Sequence, residues 1–310
     1  MSSNLILPQY NMSVYQEHES DRWKFLEPTD QLGYGNIGFF IKSPYPVVTV
    51  TVLYVLFVCF LGPLYMKNRE PYKLKSIIRF YNLIMVILAA SLLYRLYDAI
   101  ESLGSMFSCS RVFSFDDQSG SKVYQMGDFI LMIRISEYLD TIFFTLRKKQ
   151  NQITFLHVFH HAFVPLYAYW IIRTAPLRFN VYIIMINSFI HVFMYFYYFI
   201  ATFNEPQPVM SGSKSIQGKH KQQSTGFVMS IIRKLLMLKK YMTLMQILQF
   251  VSLAFYSIWP LFVQNRCNVP NTYIASNIML ALGFLILFCH FYVSAYRTRA
   301  AAAAAARRQQ

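Results

Sequence analysis

Seven stretches of about 20 mostly apolar residues, near residues 47–66, 77–97, 128–146, 153–172, 179–202, 242–263 and 272–296, take up most of this chain. Each is long enough to cross the hydrocarbon core of a bilayer. Backbone groups have no water to bond to there, so each crossing is expected to be a helix. With 55% hydrophobic, 17% aromatic and only 14% charged residues in 310, a single soluble core would be unusual. The expected fold class is therefore an all-α integral membrane protein of seven transmembrane helices enclosing a polar chamber. An odd number of spans puts the termini on opposite sides. Residues 1–45 read as a polar N-terminal segment, 46–296 as the membrane domain with a long loop at 203–240, and 297–310 as a basic tail. The first forty-odd residues lack the basic, apolar and small-residue regions of a signal peptide, so the first span is expected to be an uncleaved anchor.

Basic residues set the orientation, because cytosolic loops are rich in Lys and Arg. Lys67, Arg69, Lys73, Lys75 and Arg79 follow the first span, and Arg147, Lys148 and Lys149 follow the third. Lys214, Lys219, Lys221, Arg233, Lys234, Lys239 and Lys240 lie between the fifth and sixth, and Arg297, Arg299, Arg307 and Arg308 in the tail. The opposite side has Arg22, Lys24, Lys42, Arg111, Lys122, Arg173, Arg178 and Arg266 spread over more loop residues. The N-terminus is then lumenal and the C-terminus cytosolic. The net charge of +15 reflects this topology and an anionic ligand at the cytosolic face; no nucleic-acid motif accompanies it.

Asn11, in Asn11-Met12-Ser13, is a glycosylation sequon on that lumenal segment. Cys109 and Cys267 fall in lumenal loops of an oxidising compartment and are expected to form a disulfide, two free thiols being the alternative. Cys59 and Cys289 lie inside spans and read as small packing residues.

Ionisable side chains inside a membrane span are costly and usually functional. Glu137 and Asp140 lie roughly 9 to 14 Å from the cytosolic end of span three at about 1.5 Å per residue. His157, His160 and His161 lie in the cytosolic half of span four, Asn187 and His191 in that of span five, and Gln246 and Gln249 in that of span six. Each set recurs at helical spacing and so shares one helix face. A single chamber open to the cytosol accounts for all of them. Competing readings remain: Glu137 or Asp140 paired with Arg134 or Arg95, the glutamines as interhelical glue, and His290 as a lone hydrogen-bonding residue.

The segments "RISEYLDTIFFTLRKK", "HVFHH", "NSFIHVFMYFYY" and "TLMQILQ" stand in an order and spacing that resembles the ELO-type fatty-acid elongases, membrane 3-ketoacyl-CoA synthases of the endoplasmic reticulum. The resemblance runs from about residue 40 to 296. It maps the family pattern onto Arg134, Glu137, Asp140 and Thr141; onto His157, His160 and His161; onto His191, Met194, Tyr195, Tyr197 and Tyr198; and onto Thr243, Gln246 and Gln249. Arg134 replaces the usual Lys, which keeps the charge but removes a readily lost proton. The 203–240 loop is longer than usual, with a flexible stretch "SGSKSIQGKHKQQSTG" and a basic amphipathic segment "FVMSIIRKLLMLKK".

The resemblance implies condensation of a long acyl-CoA with malonyl-CoA to 3-ketoacyl-CoA, CO2 and CoA in an acyl tunnel. No bound cofactor or metal is expected. The partners it implies are the bilayer, the ketoacyl reductase, dehydratase and enoyl reductase of the elongation cycle, and a homodimer. With no cysteine in the polar layer, imidazole is the best nucleophile present. His160 or His161 is expected to take the acyl group, and His191 with Asn187 to stabilise the enolate. Glu137 and Asp140 are expected to fix tautomers or carry protons. Lys148, Lys149, Lys239 and Lys240 are expected to dock CoA phosphates, and Tyr195 is expected to line the substrate path, with Arg134, Thr141, Tyr198, Thr243, Gln246 and Gln249 also in contact with substrate. An iron desaturase would need more histidines than the seven here. A receptor or transporter would not need this stack of polar groups.

Overall fold

The apolar stretches form helices because only a helix satisfies its own backbone within lipid. The computed structural model describes residues 38–103, 118–174, 178–203, 230, 239–262 and 271–308, and every regular element among them is helical. A short helix α1 (Phe39–Lys42) leads into α2 (Pro44–Leu56), a π-helical turn (Phe57–Leu61) and α3 (Gly62–Met66). There follow α4 (Lys75–Leu103), α5 (Gln118–Ser136), α6 (Tyr138–Leu146), a 3-10 turn (Gln150–Gln152), α7 (Phe155–Thr174), α8 (Arg178–Ala201), α9 (Lys239–Phe262) and α10 (Asn271–Arg308).

Six helices among the described residues are long and apolar enough to cross a membrane: Pro44–Met66, Lys75–Asp98, Phe155–Arg173, Asn180–Ala201, Lys239–Phe262 and Asn271–Ala295. The expected third span is not an unbroken helix. It divides at Glu137 into α5 and α6, where Asp140 N bonds to the Glu137 carbonyl three residues back (3.2 Å) instead of four. Asp128, Arg134, Glu137 and Asp140 also make this segment the most highly charged of the seven.

Packing closes a ring: α4 lies on α8, α8 on α9, α9 on α10, α10 on α7, α7 on α5, and α5 back on α4. α2 stands outside it, against α7 and α5. Local chemistry sets these contacts. Ser43 caps α2 by accepting from Tyr45 N, with Pro44 in the first helical turn. The π turn lets Gly62 donate to the Phe57 carbonyl five residues back, and Gly62, having no side chain, lies against Thr145 of α6. Asp128 of α5 accepts from Phe40 N at 2.6 Å and Ile41 N at 3.1 Å, capping α1 on the ring. That anchor was not anticipated.

Cys59 and Cys289 are exposed on the outer, apolar face rather than packed inside, because helix phase carries both away from the ring. His290 is likewise exposed. The alanine run continues α10 as helix to Arg308. Asn11, Cys109, Cys267 and loop residues 204–229 and 231–238 lie outside the described residues.

Candidate active site

The helix break places Glu137 at the centre of the polar layer, with 1% of its surface exposed. Its Oε1 sits 2.8 Å from Nη1 of Arg134, one turn earlier on α5, and 2.9 Å from Nδ1 of His191 on α8. The same Arg134 nitrogen donates to Asn187 Oδ1 at 2.8 Å. His191 Nδ1 also lies 3.4 Å from the same Arg134 nitrogen, so it donates to Glu137 or accepts from Arg134 according to its tautomer. An unpaired buried charge would be costly, so the carboxylate and the guanidinium hold each other in place. Arg134 and Asn187 thus meet across α5 and α8. The ion pair expected between helices forms for Glu137 with Arg134, but within one segment, three residues apart.

The histidine box lies on α7. Thr154 starts this helix, its Oγ1 accepting from His157 N at 3.2 Å. The rings of His157 and His161 are 4.4 Å apart between centroids, and those of His160 and His161 5.2 Å, edge to face. His161 Nδ1 is 3.9 Å from Glu137 Oε2, beyond hydrogen-bond reach. His157 Nε2, His161 Nδ1 and Arg134 Nη2 are buried atoms without a hydrogen-bond partner. Pro165 has no amide to offer the His161 carbonyl four residues back, so the backbone is opened beside the box. Among the described residues, no group of three or more His, Cys, Asp or Glu is arranged to hold a metal ion.

Asp140 departs from expectation. It serves no imidazole: its Oδ2 accepts from Tyr195 OH at 2.7 Å, because three residues beyond Glu137 the helix has turned toward the next turn of α8. Tyr195 is fully buried in that bond and does not line the cavity described below. Thr141 contacts Tyr54 of α2 at 2.9 Å between hydroxyls, so it ties the outer helix to the ring instead of facing substrate. Tyr138 stacks on Tyr54 at 4.2 Å and reaches Thr51 at 2.7 Å, completing a seam that sequence reasoning missed. Gln246 donates to Met194 Sδ at 3.6 Å and joins α9 to α8, the glue reading. Thr243 is buried off the cavity wall, and Tyr198 is 38% exposed.

Inside the ring is a cavity of about 120 Å³. One end is walled by Arg134, His160, Asn187 and Gln249, and the middle by apolar residues such as Val164, Ile184, Phe250 and Leu253. Of the box histidines only His160 lines it, flanked by the Phe284 ring at 5.1 Å. Its far end holds Tyr167, Asn180, Ser257 and Asn277. Those four were missed, although each is seven or eight residues from a polar-layer or cavity residue on its own helix, a spacing that returns to the same face.

The GNS1/SUR4 (ELO) family model matches residues 39–217 and 225–304, the whole of the ring. The chain is 30% identical over 259 residues to very long chain fatty acid elongase 7 of Drosophila melanogaster, covering 84% of this chain and 71% of that relative. It is 31% identical over 258 residues to very long chain fatty acid elongase 4 of Macaca mulatta (83% and 73%), and 30% identical over 263 to very long chain fatty acid elongase 5 of Tachysurus fulvidraco (83% and 78%). The chain belongs to the GNS1/SUR4 family. In this family member the end of the ring nearest the polar layer carries exposed lysines. Lys148, in a left-handed turn with φ 53°, and Lys149 follow α6. Lys239 and Lys240 open α9 at the same end, since Gln246 near the start of α9 meets Met194 near the end of α8. Arg79 joins that end too, donating to Thr202 Oγ1 at 3.1 Å and lying over the Phe203 ring at 4.0 Å.

Proposed function

We propose that this chain, an enzyme of fatty-acid elongation, is the condensing 3-oxoacyl-CoA synthase, joining a long acyl-CoA to malonyl-CoA. The observation that carries the reading is one cavity with apolar walls and a polar end made by His160, Arg134, Asn187 and Gln249. An acyl chain lies along the apolar part with its thioester at His160. The His160 imidazole attacks the thioester carbonyl, the C–S bond breaks, and CoA leaves as the thiol after taking up a proton. The acyl-imidazole carbonyl then meets malonyl-CoA. Loss of CO2 leaves its bonding pair on the adjacent carbon as an enolate, which attacks the acyl carbon. The C–N bond breaks, the pair returns to the imidazole, and 3-ketoacyl-CoA two carbons longer departs. Asn187, its Oδ1 held by Arg134, flanks this point and its amide N–H donates to the enolate oxygen, with His191 one turn further along the same helix. Unpartnered buried nitrogens on His157, His161 and Arg134 fit a layer built to meet a ligand. The co-substrates carry all the reacting atoms, so no bound cofactor is needed.

In the same reading, α5 and α6 together make the seventh crossing, the N-terminus is lumenal, and the protein resides in the endoplasmic reticulum membrane beside the reductases and dehydratase of the cycle. Lys148, Lys149, Lys239 and Lys240 then face the cytosol and meet the CoA phosphates. Incubating purified protein with acyl-CoA alone, followed by intact mass measurement, tests the covalent step. Wild type gains one acyl mass that malonyl-CoA discharges, and His160→Ala gains none. An adduct of unchanged yield in His160→Ala refutes the assignment.

A further inference from the structure

The mechanism leaves unused a second intramembrane polar cluster, at the far end of the cavity from the histidines. Tyr273 of α10 donates to Asn180 Oδ1 of α8. Tyr167 of α7 donates to Asn277 Oδ1 of α10 at 2.9 Å, with its hydroxyl 3.2 Å from Ser276 Oγ. Asn277 Nδ2 donates in turn to the Tyr273 carbonyl at 3.2 Å. Asn180 and Asn277 are 5% and 4% exposed, and both line the cavity. Tyr273 is buried and stands off the wall, stacked on Trp170 at 5.9 Å between centroids. Ile171 and Ile274 pack with it and with Tyr256, so an apolar and aromatic layer backs the polar cluster. Three helices of the ring are therefore cross-linked by side-chain hydrogen bonds where the cavity ends.

Its depth can be read along the helices. His160 to Tyr167, Asn187 to Asn180 and Phe284 to Asn277 are each seven residues apart, and Gln249 to Ser257 eight, or about 10–12 Å at about 1.5 Å per residue. An extended acyl chain advances about 1.3 Å per methylene, close to that helical rise, so roughly eight or nine methylenes fit between the two polar layers. A longer chain must push its methyl end between hydrogen-bonded amide and phenol groups. That parts Tyr273 from Asn180 and leaves buried polar atoms without partners.

Resting on the elongase reading, we infer that the Tyr273–Asn180 hydrogen bond is a latch across the acyl cavity. It stays closed over chains that end above it and is opened only by longer ones, so these two residues set the chain-length profile. Tyr273→Phe is the informative variant, because it removes the bond and keeps the ring. The readout is the ratio of kcat/KM for stearoyl-CoA to that for decanoyl-CoA in the full-length protein. The ratio rises roughly three- to tenfold in Tyr273→Phe, the range of an interhelical hydrogen bond in a membrane. It rises further in Tyr273→Ala. Met279→Ala, at a lipid-facing position 73% exposed on the same helix, leaves it unchanged. A ratio equal to wild type in both Tyr273 variants overturns the latch. If wild type turns over no acyl-CoA, the elongase reading has failed separately. The latch is then judged by the affinity of stearate relative to decanoate, and an unchanged ratio of affinities in Tyr273→Phe overturns it.

Discussion

Replacing Glu137 by Gln keeps the side-chain shape and removes one negative charge from the point where Arg134 Nη1, at 2.8 Å, and His191 Nδ1, at 2.9 Å, converge. With Glu137 1% and Arg134 3% exposed, water cannot take the place of the lost charge. Removing one member of a buried ion pair typically costs about 3–5 kcal/mol, most of it from the partner left uncompensated. Arg134 keeps its 2.8 Å bond to Asn187, which offsets part of that loss, so about 3 kcal/mol is expected. Arg134→Met alone leaves the carboxylate with only His191 and should cost about as much. The double variant removes both charges and should lose little more than either single one, a coupling of about 2 kcal/mol or more. Equilibrium unfolding in mixed detergent micelles across the four proteins measures this directly. A single-variant loss below about 1 kcal/mol, or a double variant that loses the sum, would refute the claim that the pair is one desolvated unit.

Tyr195→Phe takes the 2.7 Å hydroxyl donor from Asp140 Oδ2, a loss of about 1–3 kcal/mol in the same unfolding experiment. Because Tyr195 is one turn from His191, kcat should fall while KM stays within about twofold, and a change confined to KM would place Tyr195 against substrate after all. Gly62→Ala sets a Cβ 2.6 Å from Thr145 Cγ2 and 2.8 Å from the Phe57 carbonyl oxygen, costing about 1–3 kcal/mol. Adding Thr145→Ser, which deletes that methyl, should recover part of the loss. No recovery would mean that the Phe57 carbonyl sets the whole penalty.

Much of the polar layer was legible because membrane spans tolerate few ionisable groups. Arg134, Glu137, the three box histidines, Asn187 and His191 stood out by their presence alone, and helical periodicity put each set on one face. Periodicity could not say which neighbour that face meets. Glu137 and Asp140, three residues apart on one face, were both expected to fix imidazole tautomers or carry protons. The break at Glu137 and the rise of one turn send them to different residues of α8, His191 and Tyr195. Thr141 and Gln246 carry family positions, yet the seams they join, to Tyr54 of α2 and Met194 of α8, depend on which helices are adjacent.

The sequence by itself determined that this chain is a helical membrane protein with its intramembrane polar groups in one layer, since hydropathy, depth and residue type are properties of single segments. Only the tertiary structure decided that among the described residues α5 and α7 to α10 wall a cavity, that His160 rather than His161 lines it, and that a hydrogen-bonded cluster ends it about two helical turns deeper. Lipid drives every apolar helix into the bilayer equally and gives them little reason to choose one another. Their arrangement comes from a few buried polar contacts and close approaches, such as Glu137 to His191, Gly62 to Thr145 and Tyr273 to Asn180, whose partners lie far apart in the chain.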